Sequence, residues 1–153
     1  MEYPVMTHEP ECASQAIGAE QGDPAKLLQL AGLRLTQKRL ALASLLFGKG
    51  DRHLTAEMVH VEATKNQIGV SLATVYNTIN CLTYAGLLKR ISVDGRKSYF
   101  DTNVSTHQHF YFESTQELVD ICGSQITLSR MPELPEGYEF TRVELVVRLR
   151  KRP

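Results

Sequence analysis

His107 and His109 stand two residues apart in the stretch "HQHFYFES". Alternate side chains of an extended strand point to opposite faces, so the two imidazoles share one face. Two imidazoles on one face suit a first-row metal ion or haem iron. They suit equally well a pair of hydrogen-bonded surface histidines, and the pair by itself does not choose. The same alternation turns Phe110 and Phe112 the other way, toward a core. Other reactive chemistry is sparse. Cys12, Cys81 and Cys122 are odd in number, far apart and form no CxxC, so neither a disulfide framework nor a thiolate zinc knuckle is expected. No nucleophile–base pair or phosphate-cradling loop is legible, so the chain does not read as an enzyme.

A second stretch, "SLATVYNTI", residues 71–79, carries chemistry of another kind. Leu72, Val75, Ile79 and Leu82 recur at helical spacing and make one apolar face. Thr74, Asn77, Thr78 and Cys81 lie largely elsewhere, with Ser71 at the start. The outer face is therefore uncharged and rich in hydroxyl and amide groups. Such groups, with Tyr76, contact phosphates, base edges and thymine methyls in a major groove. An ordinary solvated face is the competing reading.

Charge distribution bears on that choice. The formal net charge is zero, but it is unevenly spread. Residues 1–25 hold five acids and no Lys or Arg, a net −5. Residues 26–100 hold eleven bases and four acids, a net +7. Residues 101–153 hold six bases and eight acids, a net −2. A basic block of this size attracts nucleic acid.

The elements that must position these residues follow from caps and periodicity. Residues 1–22 lack periodicity and read as a disordered tail. Asp23-Pro24 starts a first helix and Gly32 stops it. Thr36 caps a second helix, ended by Gly48, and Thr55 a third, ending near Gln67. Ser71 caps a fourth, ended by Gly86. The period then changes to two: "LLKRISV" and "KSYFDT" flank Asp94-Gly95, a β-hairpin signal. Helices followed by a hairpin are the order of a winged helix over residues 23–102. In residues 103–153, "HQHFYFES" and "ELVDIC" read as short strands. "FTRVELVVRLRKR" reads as a strand with Val143, Leu145, Val147 and Leu149 on one buried face. The fold class is α+β: an N-terminal winged-helix domain, then a small α/β unit that alone would be marginally stable. That unit is expected to form a homodimer.

With 153 residues and 42% apolar content the chain can fill a core. No apolar run approaches the roughly 20 residues of a membrane span. No secretory signal is legible, so a cytoplasmic location is expected.

The stretches "AGLRLTQKRLALASLL", "HLTAEMVH", "SLATVYNTINCLTYAGLLKR" and "GRKSYF" resemble, in order and spacing, the DNA-binding domain of the ferric uptake regulator family. "HQHFYF" with "ELVDI" resembles the start of that family's dimerisation domain. The resemblance covers about residues 24–149. It implies a homodimeric, metal-responsive repressor of AT-rich, palindromic double-stranded DNA. Tyr76 matches the family's recognition-helix tyrosine and Arg39 a basic residue of the second helix. Arg34 takes the place of a lysine that approaches the minor groove. Asn77 departs from an arginine common after the tyrosine. With Ser71 and Thr74 from the polar helix face, these are the expected DNA contacts.

The resemblance also implies a metal site at His53, Asp101, His107, His109 and Asp120. Mixed His/carboxylate ligands suit Mn²⁺, Fe²⁺ or Zn²⁺. Phe112 and Thr115 stand where family members carry CxxC, so no Cys-ligated structural zinc is expected. A second family site, which would need acids at Gln108 and near Thr127, looks lost. These departures resemble the iron response regulator branch, which senses haem and whose histidine cluster is implicated in haem binding. That implies His107 and His109 as haem-binding residues. A Cys-Pro haem motif known in that branch is absent, since Ala13 follows Cys12. Haem or a divalent metal therefore both remain as the expected ligand.

Overall fold

The computed structural model describes residues 23–121 and 126–153. The tail expected over residues 1–22, with Cys12, lies outside them, as does Cys122. The described residues form two compact units, one ending at Thr106 and the other beginning at His107.

The first unit opens with four helices, each started by the side chain expected to cap it. Asp23 accepts from the Ala25 amide at the head of α1 (Pro24–Leu30). Thr36 accepts from Arg39 N at the head of α2 (Gln37–Phe47). Thr55 accepts from Met58 N before α3 (Ala56–Lys65), and Ser71 from Thr74 N before α4 (Leu72–Tyr84). Each bond satisfies an amide that has no partner within the helix. Past α4, Gly86 takes φ +76°, a left-handed conformation that ends the helix at little steric cost.

Three strands follow or interleave: β1 (His53–Leu54), β2 (Lys89–Ser92) and β3 (Ser98–Asp101). Their order is β1-β3-β2, all antiparallel. The wing turn between β2 and β3 is built on Asp94, whose Oδ1 accepts from the amides of Arg96 and Lys97, with Gly95 at φ +75°. No strand signal marks β1, because two residues are too few to show a period. The core joins Leu28, Leu42, Leu46, Val59, Val75, Ile79, Leu82, Leu88 and Phe100.

In α4 the buried stripe is Val75, Thr78, Ile79 and Leu82. This corrects two expectations. Leu72 is exposed because it is the first helical residue, ahead of the stripe. Thr78, expected outside, is fully buried between Val75 and Leu82, three and four residues away on the same side. Its hydroxyl is accommodated there by donating to the Thr74 carbonyl at 2.9 Å.

The second unit is a three-stranded mixed sheet, order β5-β4-β6. Strands β4 (Gln108–Phe112) and β5 (Glu117–Ile121) are antiparallel, and β6 (Val146–Leu149) runs parallel to β4. Residues 126–145 carry no helix or strand. Here too an expectation is corrected. The alternation along β4 holds, but the buried side chains are His109 and Tyr111, with Leu118 opposite Tyr111. Phe110 is half-buried and Phe112 exposed. Their face, shared with Val119 and Val147 across the sheet, is the one a single chain leaves open. The last strand is also shorter than expected: Val143 is exposed and pairing begins only at Val146, where β4 offers a partner. No described helix is long and apolar enough to cross a membrane.

Candidate metal centre and nucleic-acid interface

The histidines and carboxylates occur as cross-strand pairs within each unit. In the first unit His53 of β1 lies directly opposite Asp101 of β3. Directly opposed residues of antiparallel strands project to the same face. His53 Nε2 accordingly lies 3.4 Å from Asp101 Oδ2. Asp101 is fully buried, and its Oδ1 accepts from the Asn103 amide at 2.8 Å. The segment leading into His53 is tied down on both sides. The Arg52 amide donates to Thr102 Oγ1, and its guanidinium donates to the Leu45 carbonyl at 3.0 Å and to Glu62 at 2.7 Å. Lys49 joins Glu62 from the other side.

In the second unit His109 of β4 lies opposite Asp120 of β5. Asp120 Oδ1 is 3.4 Å from His109 Nε2 and 3.3 Å from His107 Nε2. The two rings meet edge to face, 4.5 Å between centroids. Donor atoms of all three residues lie within 4.8 Å of one another. Bonds of about 2.1 Å to a tetrahedral ion put neighbouring ligand atoms about 3.4 Å apart. The spacings within both pairs match that edge. Imidazole nitrogen with carboxylate oxygen is a donor set for a first-row divalent ion such as Mn²⁺, Fe²⁺ or Zn²⁺. His109 is buried and His107 nearly so, which gives the ligands a low-dielectric setting.

The residues expected at nucleic acid all lie in the first unit. Ser71 Oγ is shared between the cap bond and a 2.9 Å hydrogen bond with Thr74 Oγ1. Asn77 is exposed on α4. Arg39 Nη1 donates to the Arg34 carbonyl at 3.2 Å, which draws those two residues together ahead of α2. Tyr76, partly exposed on α4, donates its hydroxyl to Glu57 Oε1 of α3 at 2.6 Å. That bond holds the Glu57 carboxyl below its ordinary range, and the Glu57 carboxylate in turn pushes the Tyr76 phenol up.

Beside this pair a cavity of about 230 Å³ opens between α4 and the wing, lined by Glu57, Tyr76, Asn80, Arg90, Arg96 and Lys97. Glu57, Arg90, Arg96 and Lys97 carry no individual signal in the sequence beyond their place in the basic block and in the stretches that resemble the family. One available signal was that Glu57 is one of only four acids in a basic block.

Residues 30–148 match the sequence model of the Ferric uptake regulator family. The chain is 29% identical over 127 residues to the Ferric uptake regulation protein of Pseudomonas aeruginosa, covering 82% of this chain and 95% of that one. It is 27% identical over 128 residues to the Peroxide-responsive repressor PerR of Staphylococcus aureus, covering 83% and 86%. The structure of the Pseudomonas aeruginosa ferric uptake regulator with manganese superposes with a TM-score of 0.65 at 26% identity, covering 85% of this chain and 98% of that chain. The Vibrio cholerae ferric uptake regulator shares the fold, with a TM-score of 0.66 at 24% identity over 84% of this chain and all of that one.

Proposed function

Since the chain belongs to the ferric uptake regulator family, we propose that it is a homodimeric, DNA-binding transcriptional repressor of iron and haem homeostasis. Its DNA affinity is modulated by a divalent metal or by haem at the His/Asp residues. The observation that carries this reading is the pair of cross-strand His–Asp contacts, each with a metal-ligand spacing.

His53, Asp101, His107, His109 and Asp120 act as one ligand set, as family membership suggests. His53 and Asp101 are contributed by the DNA-binding unit, and the other three by the second unit. A divalent ion held by these residues would supply positive charge to their carboxylates, and its occupancy would in this reading modulate DNA affinity. The Asn103 amide donates to Asp101 and orients it beside His53, and Asp120 contacts both rings of the second unit. His107 and His109 would be the residues to hold haem, supplying imidazole nitrogen to its iron. The absence of CxxC at Phe112 and Thr115 supports the haem-sensing branch, and the manganese-bound relative supports the metal.

Arg34, Arg39, Ser71, Thr74, Tyr76 and Asn77 meet an AT-rich duplex. The dimer forms through the open face of the second sheet, where Phe112 and Val119 are 36% and 46% exposed.

The experiment is DNA affinity of the metal-free protein on an AT-rich palindrome, titrated separately with Mn²⁺ and with haem. Binding that weakens with haem identifies a haem sensor. Binding that appears only with Mn²⁺ identifies a metal-activated repressor. Affinity indifferent to both overturns the proposal.

A further inference from the structure

The cavity between α4 and the wing has the chemistry of an anion site. Arg90, Arg96 and Lys97 supply three cations from the wing, and Tyr76 and Asn80 supply hydrogen-bonding groups from α4. The wing turn fixes where two of the cations lie, because Asp94 Oδ1 holds both the Arg96 and the Lys97 amides. Arg90 is held in turn by donating from Nε to Ser98 Oγ at 2.9 Å. The single acid among the lining residues is Glu57. Its Oε1 accepts the Tyr76 hydroxyl at 2.6 Å, so the chain already places one oxyanion at the mouth of a cationic pocket.

We propose that this cavity binds a backbone phosphate of the DNA, and that the Glu57 carboxylate stands in for that phosphate in the free protein. A phosphodiester and a carboxylate present the same kind of anionic oxygen to Tyr76 and to the wing cations. They cannot both occupy the site without like-charge repulsion. DNA therefore has to take Tyr76 away from Glu57 as it binds. Glu57 works as a built-in competitor that lowers affinity for every duplex. Only a duplex that makes enough further contacts holds the protein. The attraction between the carboxylate and Lys97, which contributes to the lowered Glu57 value, agrees with this placement. Glu57 thus sets overall affinity, acting through Tyr76 and the wing rather than by reading a base.

The inference rests on the DNA-binding reading, and the test separates the two. The full-length protein, with Mn²⁺ present throughout, is compared with its Glu57→Gln and Lys97→Gln variants. Affinity is read by fluorescence anisotropy on an AT-rich palindrome and on a scrambled duplex across a salt series. Glutamine keeps an acceptor for Tyr76 and removes only the charge. Glu57→Gln is expected to bind both duplexes about tenfold tighter at low salt, the gain shrinking as salt rises. Lys97→Gln is expected to weaken both duplexes alike and to reduce the salt slope by about one. A merely structural Glu57 would give a loss, with no salt-dependent gain. Wild-type binding that is salt-dependent but unchanged or weaker in Glu57→Gln overturns the stand-in role. An unchanged salt slope in Lys97→Gln overturns the phosphate pocket. A wild-type protein with no salt-dependent affinity for either duplex overturns the DNA-binding reading, and this inference with it.

Discussion

His53 and Asp101 face each other across β1 and β3, imidazole nitrogen 3.4 Å from carboxylate oxygen. His109 and Asp120 repeat the relationship across β4 and β5 at the same distance. In both units the donor pair is produced by strand register, which brings residues far apart in sequence onto one face. A slip of one residue in either sheet would turn one partner to the opposite face and dissolve the pair. A metal held by these pairs would therefore depend on the integrity of both sheets.

This geometry predicts the effect of removing the imidazoles. His107→Ala and His109→Ala should each lower Mn²⁺ or Zn²⁺ affinity by at least about tenfold. The double variant should remove the dependence of DNA affinity on metal or haem while leaving the far-ultraviolet circular dichroism unchanged. Calorimetric metal titration and anisotropy on one sample check this. Unchanged ligand response in the double variant would dismiss these histidines as ligands.

Helix α4 offers a paired test of which side faces DNA. Tyr76→Ala should weaken operator binding by about tenfold or more, with the oligomeric state unchanged by light scattering. Thr78→Val, at a fully buried position, should leave DNA affinity unaltered and shift stability by no more than about 1 kcal/mol. A Thr78→Val variant that bound DNA poorly while folding normally would contradict the burial of that hydroxyl.

The Glu62 carboxyl is subject to opposing influences. Burial pushes it up, but hydrogen bonds and charge from Arg52 and Lys49 outweigh burial and hold it below its ordinary range. A carboxyl lowered in the folded state contributes stability that is present above the unfolded value, about pH 4.3, and is lost as pH falls through the folded value. Glu62→Gln should accordingly lower Tm at pH 7 by about 2–5 °C. The gap from wild type should close as pH falls below about 4. Thermal melts of both proteins across that range measure it; a gap that stays constant with pH would remove the charge from the explanation.

The open face of the second sheet gives a test of assembly. Val119, 46% exposed, sits opposite Phe110. Val119→Glu should convert a dimer to a monomer by sedimentation or light scattering, because an unpaired carboxylate in an apolar interface carries a desolvation cost of several kcal/mol. Retained dimerisation would place the interface elsewhere.

Local signals in the sequence determined much of this protein. Asp23, Thr36, Thr55 and Ser71 cap the four helices because a side-chain oxygen needs only amides two or three residues away. Asp94-Gly95 turns the wing for the same local reason. The His-x-His spacing brought both imidazoles to one side, where both reach Asp120, although His107 stands one residue ahead of β4 rather than on it. Tertiary structure decided the rest. Which face of β4 is buried depends on what lies across the sheet, so His109 and Tyr111 went inside while Phe110 and Phe112 did not. Thr78 is buried because it lies on the packed face of α4 with Val75, Ile79 and Leu82, a matter of packing that its polarity could not announce. The strand at His53, two residues long, exists only because β3 offers it an edge. The Glu57–Tyr76 bond joins residues nineteen apart on two helices, and only the packing of α3 against α4 makes them neighbours.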